Sequence, residues 1–193
     1  MATRQQALAG RRIAFLAADG VEDVEYTQPR AAAEEAGAQV HLISLRPEEI
    51  QSMHHDLNPA NRFPVDRTVE QADPGDYDAL VLPGGTVNPD RLRMNPGAMS
   101  FIRAFFEQSK PVAAICHGPW SLVETGMVAG RMVTSFPSLR TDIQNAGGTW
   151  VDKQVQVDNG LITSRSPDDL PAFCAAMVEE FAKGQQIRRV TTA

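Results

Sequence analysis

Apolar residues along this chain fall into short runs that alternate with longer, helix-spaced patterns. The run at 12–18 (RIAFLAA) is too short for a stable helix and stops at Asp19-Gly20, so it predicts a buried first strand. Residues 25–36 carry a helix-compatible pattern, closed by Gly37 where a left-handed cap is wanted. Strands are predicted at 39–45, at 77–82 (ending in Pro83-Gly84-Gly85), at 111–115 and, more briefly, at 132–135. Helices are expected over 96–109, 118–124, 138–146 and 167–183. The last of these has Asp168 and Asp169 favourably placed in its first turn. Asp158-Asn159-Gly160 marks a hairpin within 151–164. The stretch 46–74, rich in Pro, Asn, Asp and His, interrupts the alternation and predicts an excursion with one short hairpin.

Strands that alternate with helices imply a mostly parallel sheet covered on both faces, here a single doubly wound, flavodoxin-like α/β domain. A length of 193 residues suits one core. The domain is expected over 12–183, between an extension at 1–11 and a tail at 184–193. Such sheets place their sites beyond the carboxyl ends of the strands, which singles out the loops 19–25, 83–90 and 116–120.

Composition changes this picture only by exclusion. With 42% hydrophobic and 22% charged residues, neither disorder nor a coiled coil fits. A net charge of −6 argues against a nucleic-acid partner, which would select a basic face. No apolar run approaches the roughly 18 residues of a membrane span, and the polar start lacks a signal peptide's apolar stretch. A cytoplasmic location is the expectation. No cofactor or metal is implied: His54-His55 has no third ligand at a clear spacing.

Candidate chemistry centres on Pro111-Val-Ala-Ala-Ile-Cys116-His117-Gly118-Pro119. An apolar strand that ends in a thiol, then His, Gly, Pro and a helix, describes a nucleophile raised above the sheet on a sharp turn. The following helix N-terminus is expected to lower the thiol pKa from its usual value of about 8.5. Cys174, on the apolar face of the last helix, reads as packing. A carboxylic acid beside the sulfur would be driven toward its protonated form and could then donate to a thiolate. Glu22, Asp23 and Glu25 are the acids of the first loop, and they equally suit a solvated helix start. Gly84-Gly85 suits a tight turn, or exposed N–H groups that with His117 form an oxyanion hole. Arg165 suits a pocket wall, an interface or a simple ion pair.

Ala114-Ile115-Cys116-His117-Gly118-Pro119 resembles the nucleophile segment of the PfpI-type intracellular proteases, within the ThiJ/PfpI superfamily that also holds deglycases. Gly20-Val21-Glu22-Asp23-Val24-Glu25, Leu82-Pro83-Gly84-Gly85 and the segment Thr163 to Leu170 match that family's other motifs, in its order and spacing. The resemblance implies that Glu25 hydrogen-bonds the cysteine sulfur. It also implies that His117 pairs with the thiol and is oriented by an acid from a neighbouring subunit, here Asp90, in a homodimer or higher homo-oligomer. The Asp90 segment differs from the family pattern, with Asp for Glu and one extra residue after the glycine turn. The same fold serves class I glutamine amidotransferases, which use a late His-x-Glu. This chain has only His41, His54, His55 and His117, so that activity is disfavoured.

Three functions follow from the resemblance. The favoured one is a stress-protective cysteine hydrolase acting on small-molecule or protein adducts of aldehydes, deglycase- or glyoxalase-like. The second is an intracellular peptidase. The third is a peroxide-sensing stress protein that uses oxidation of Cys116 without enzymatic turnover.

Overall fold

A computed structural model describes residues 6–184 of the chain. The element order is β1 (Arg12–Leu16), β2 (Val21–Glu22), α1 (Asp23–Glu35), β3 (Gln39–Ser44), β4 (Glu49–His54), β5 (Asn58–Pro64), β6 (Arg67–Thr68) and β7 (Ala79–Leu82). There follow α2 (Val87–Arg93), α3 (Pro96–Glu107), β8 (Val112–Ile115), α4 (Pro119–Thr125), β9 (Met132–Val133) and α5 (Arg140–Asn145). The described chain closes with β10 (Thr149–Trp150), β11 (Val155–Asp158), β12 (Leu161–Ser164) and α6 (Leu170–Lys183).

The main sheet has seven strands in the order β11-β12-β8-β7-β1-β3-β6. Its pairings are parallel throughout except for β11 against β12. From β1 the chain moves outward to β3, then returns to β7 on the other side. The order therefore reverses at β1/β7, the place where an open α/β sheet leaves a crevice. The two-residue periodicity of β1 explains the layering. Ile13 and Phe15 enter one core cluster with Tyr26 of α1 and Phe173, Met177 and Phe181 of α6. Ala14 and Leu16 enter the other, with Met99, Ile102 and Phe105 of α3 and Leu122 of α4. Helices thus cover both faces, as the alternation predicted.

Three details differ from the sequence reading. Leu8, placed in the extension, is fully buried and its N–H donates to the Ala36 carbonyl at 2.8 Å, so the packed domain begins before Arg12. The tail lies outside the described residues beyond Gly184. Within 83–90, read as loop, α2 begins at Val87; its Leu92 is sunk in the core while Met94 just past its end is exposed. The excursion at 46–74 does hold one hairpin, β4–β5, and also adds β6 to the edge of the main sheet. β2 pairs with β4 and so ties that hairpin to the loop after β1. The hairpin at 158–160 forms as expected, with φ of 48° at Asn159 and 81° at Gly160, the left-handed pair that a tight two-residue turn requires.

Candidate active site

Cys116 follows the last residue of β8 and adopts φ 60°, a left-handed conformation that few non-glycine residues hold. Its N–H donates to the Ser164 carbonyl of β12 and its carbonyl accepts from Phe136 N–H, so the elbow is fastened from two sides. The side chain is 7% exposed. The turn aims the next residue back at the sulfur: His117 Nδ1 lies 3.2 Å from Sγ. The ring's Nε2 lies 3.1 Å from Ser138 Oγ, and its face stacks on Phe136 at 4.7 Å. Burial lowers the His117 pKa, so the ring is neutral at pH 7.

Glu25, in the first turn of α1, is fully buried and faces the same sulfur. Its Oε2 accepts from Gly84 N–H at 2.9 Å; its Oε1 has no hydrogen-bond partner among the described residues. A buried carboxylate oxygen left without a donor is costly, whereas a protonated one is a donor itself. Burial accordingly pushes Glu25 up to about 8, so it holds its proton at neutral pH. Burial, then the Glu25 carboxylate, push the Cys116 thiol upward, against the N–H groups of Gly85 and His117, which pull it down. The expected lowering of this pKa by the helix that follows is thus overturned by desolvation, and α4 is only seven residues long. Burial leads the push on both groups, and the Glu25 carboxylate adds to that on Cys116. With the proton on Glu25, its repulsion of a thiolate vanishes and its O–H becomes a donor for S⁻.

The glycine turn after β7 is required by closeness. A Cβ on Gly84 would stand 2.6 Å from Glu25 Oε2, 2.8 Å from Cys116 Cβ and 2.9 Å from His117 N. Gly84 N–H is engaged by Glu25, so of the two glycines only Gly85 turns its N–H to the sulfur, which corrects the reading of both as oxyanion donors. Glu22 is 6% exposed, and its two oxygens accept from the N–H groups of His55 and Asp56 at 3.1 and 3.2 Å. It fastens the tip of the β4–β5 hairpin beside the site. Asp56 in turn accepts from Thr86 N–H and Oγ. Arg165 is held by Asp169, through two bonds at 2.8 and 3.0 Å, and by Asp152; of its possible roles this is the ion pair. Asp90 lies exposed in the first turn of α2. Cys174 is half-buried on α6.

Asn88, Phe136 and Ser138 were not anticipated. Asn88 is fully buried: its Oδ1 accepts from Ala18 N–H at 2.7 Å and its Nδ2 donates to the Pro83 and Gly84 carbonyls. It therefore locks the loop after β1 to the glycine turn. Nothing in the local sequence marks it, since Thr86 precedes α2 but makes no side-chain cap bond. Ser138 and Phe136 reach His117 only through tertiary folding and leave no local trace.

A parallel α/β sheet with a thiol elbow, a buried acid on one side of the sulfur and an imidazole on the other defines a cysteine-centred protein of the doubly wound class. Comparison with known sequences makes this specific: residues 11–180 match the DJ-1/PfpI family, and the chain belongs to it. It is 42% identical over 164 residues to the Bacillus subtilis protein named "Putative cysteine protease YraA", covering 84% of this chain and 94% of that one. It is 40% identical over 172 residues to a deglycase of Pyrococcus horikoshii, covering 89% and 98%. Among solved structures, Drosophila melanogaster DJ-1beta superposes with a TM-score of 0.80 at 27% identity, over 89% of this chain and 90% of that one. A two-domain protein of Anabaena variabilis with DJ-1/ThiJ/PfpI-like and ferritin-like domains gives 0.81 at 35% identity, over 88% of this chain and 47% of that one. No described helix is long and apolar enough to cross a membrane.

Proposed function

We propose that the protein is a stress-protective cysteine hydrolase that removes small α-oxoaldehydes from amine or thiol adducts, with Cys116 as nucleophile and Glu25 as its acid–base partner. The observation that carries this reading is the enclosed Glu25–Cys116 pair, at 0% and 7% exposure, with Glu25 holding its proton at neutral pH. A sulfur so deep, walled by Gly84, Gly85 and His117, suits a carbonyl of two or three carbons better than an extended peptide. The carbinol O–H of the adduct gives its proton to solvent as its electron pair forms C=O, the C–N or C–S bond breaks, and the amine or thiol leaves with a proton from water. The thiolate then bonds to the freed aldehyde carbon and the C=O π pair moves to oxygen. That oxygen takes the Glu25 proton, leaving a thiohemiacetal and a carboxylate ready to act as base. The N–H groups of Gly85 and His117, already directed at the sulfur, flank the oxygen as its charge develops. The deglycase names among relatives at about 40% identity support the substrate class.

A panel of methylglyoxal, methylglyoxal-treated N-acetylarginine and fluorogenic peptides, run on wild type and Cys116→Ala, tests this. Loss of adduct in wild type alone is the expected result. Cys116-dependent cleavage of peptides without adduct turnover would instead establish the peptidase. Inertness toward the whole panel, with stoichiometric oxidation of Cys116 by peroxide, would leave the sensor reading. The proposal places the protein in the cytoplasm as a homodimer or larger homo-oligomer, with Asp90 and the exposed Val87 and Met94 near the contact. A mass of 21.0 kDa by light scattering at micromolar concentration would refute the assembly.

A further inference from the structure

Deprotonation of a buried thiol needs an exit for the proton, and the two sides of Cys116 differ in this. On one side Glu25 is fully buried behind Gly84. On the other, the ring of His117, 9% exposed, bridges the sulfur to Ser138, with 3.2 Å at Nδ1 and 3.1 Å at Nε2. Ser138 sits in the short 3₁₀ turn Pro137–Leu139 and is exposed to solvent. We propose that Ser138 is a positioning residue that holds His117 by Nε2 within a single subunit and forms the solvent end of a proton path from Cys116. The proposal rests on Cys116 being the nucleophile.

The chemistry of a hydroxyl explains why the path works in either direction. Ser138 both donates and accepts, so it can bond Nε2 whether or not that nitrogen carries a proton. In the resting state the thiol S–H donates to the Nδ1 lone pair, and Nε2–H donates to Ser138 Oγ. The thiol proton then passes to Nδ1, the Nε2 proton to Oγ, and the hydroxyl's own proton to water. What remains is a thiolate accepting from Nδ1–H, with the renewed Ser138 O–H turned back to Nε2. One S–H bond is broken, one proton appears in solvent, and the imidazole ends neutral as its burial favours. The Phe136 stack keeps the ring in the plane that reaches both partners. A carboxylate at Nε2 would stabilise an imidazolium, whereas a hydroxyl carries no charge and favours relay of the proton over its storage.

The test uses the full chain without substrate. Iodoacetamide labelling of Cys116 and Cys174 at neutral pH is followed by mass spectrometry, alongside ¹⁵N chemical shifts of the His117 ring nitrogens. Ser138→Ala is expected to slow Cys116 labelling about tenfold, the order of one lost neutral hydrogen bond, and to move the Nε2 resonance. Cys174 labelling should not change. Ser138→Thr, which keeps the hydroxyl, is expected to restore both readouts. Unchanged labelling and unchanged ring shifts in Ser138→Ala would overturn the proposal, and so would a threonine variant as slow as the alanine one. Because neither readout needs an aldehyde adduct, failure of the substrate panel and failure of the proton path are separable. An exposed serine leaves no core cavity when truncated, and the threonine variant decides the matter in any case.

Discussion

Two thiols pack against the same apolar cluster on one face of the sheet, and burial pushes both upward, Cys174 to about 11. Burial therefore does not distinguish the proposed nucleophile from the other cysteine in this molecule. The difference lies in what surrounds each sulfur. Cys174 sits half-buried on α6 against that apolar cluster, with its own backbone as the polar group beside the sulfur. Cys116 has Glu25, the N–H groups of Gly85 and His117, and the His117 ring within reach, all delivered by loops at the carboxyl ends of β1, β7 and β8. A desolvated thiol is a poor nucleophile until a neighbour can take up or return the charge, and only one of the two has such neighbours.

The comparison breaks most completely at Gly84. Gly84→Ala drives a methyl into Glu25, Cys116 and the His117 backbone at once. Overpacking of this kind costs about 1–3 kcal/mol. Thermal unfolding should register that loss, and Cys116 labelling should fall to the rate of Cys174. A variant as stable and as selectively labelled as wild type would show that the close approach is not needed.

Glu25→Gln gives a smaller and pH-dependent effect. The folded pKa of about 8 lies above the ordinary value of 4.5, so between these limits the folded protein binds a proton that the unfolded chain has released. The contribution is complete below about 4.5 and is lost as pH rises toward 8, with a slope of at most about 1.4 kcal/mol per pH unit. Urea titrations across that range should show stability falling with pH in wild type and a flatter profile in Glu25→Gln. At pH 9 the variant's Cys116 should also label faster, since no ionised Glu25 repels the thiolate. Identical pH profiles in the two proteins would exclude Glu25 as the ionising partner. Smallest is Cys174→Ser, expected to change stability by under about 1 kcal/mol and to leave Cys116 labelling and turnover as they were.

How much of this was legible in advance depended on where the information lies. Cys116 announces itself because strand, thiol, His, Gly and Pro are contiguous, and the β11–β12 hairpin because Asn159-Gly160 is a local turn signal. Glu25 and Gly84 lie far apart in sequence, and family resemblance rather than pattern joined them to the thiol. The roles of the two glycines' N–H groups depend on peptide orientation, which no residue type encodes when both are glycine. Ser138 is one exposed serine among others until the fold brings it to His117. Helix-start chemistry beside Cys116 is visible in sequence, while the depth of burial that pushes its thiol upward is not.

The left-handed backbone at Cys116 carries a consequence for the history of such chains. A side chain at φ 60° costs on the order of 1–3 kcal/mol that glycine would not incur. With Cys116 as the proposed nucleophile, selection for the thiol would have to hold cysteine there against that cost. In a lineage released from the need for the thiol, position 116 should be among the earliest to drift, and toward glycine. The backbone angle would then outlast the chemistry it served, leaving a well-folded descendant in which an empty elbow records the lost reaction.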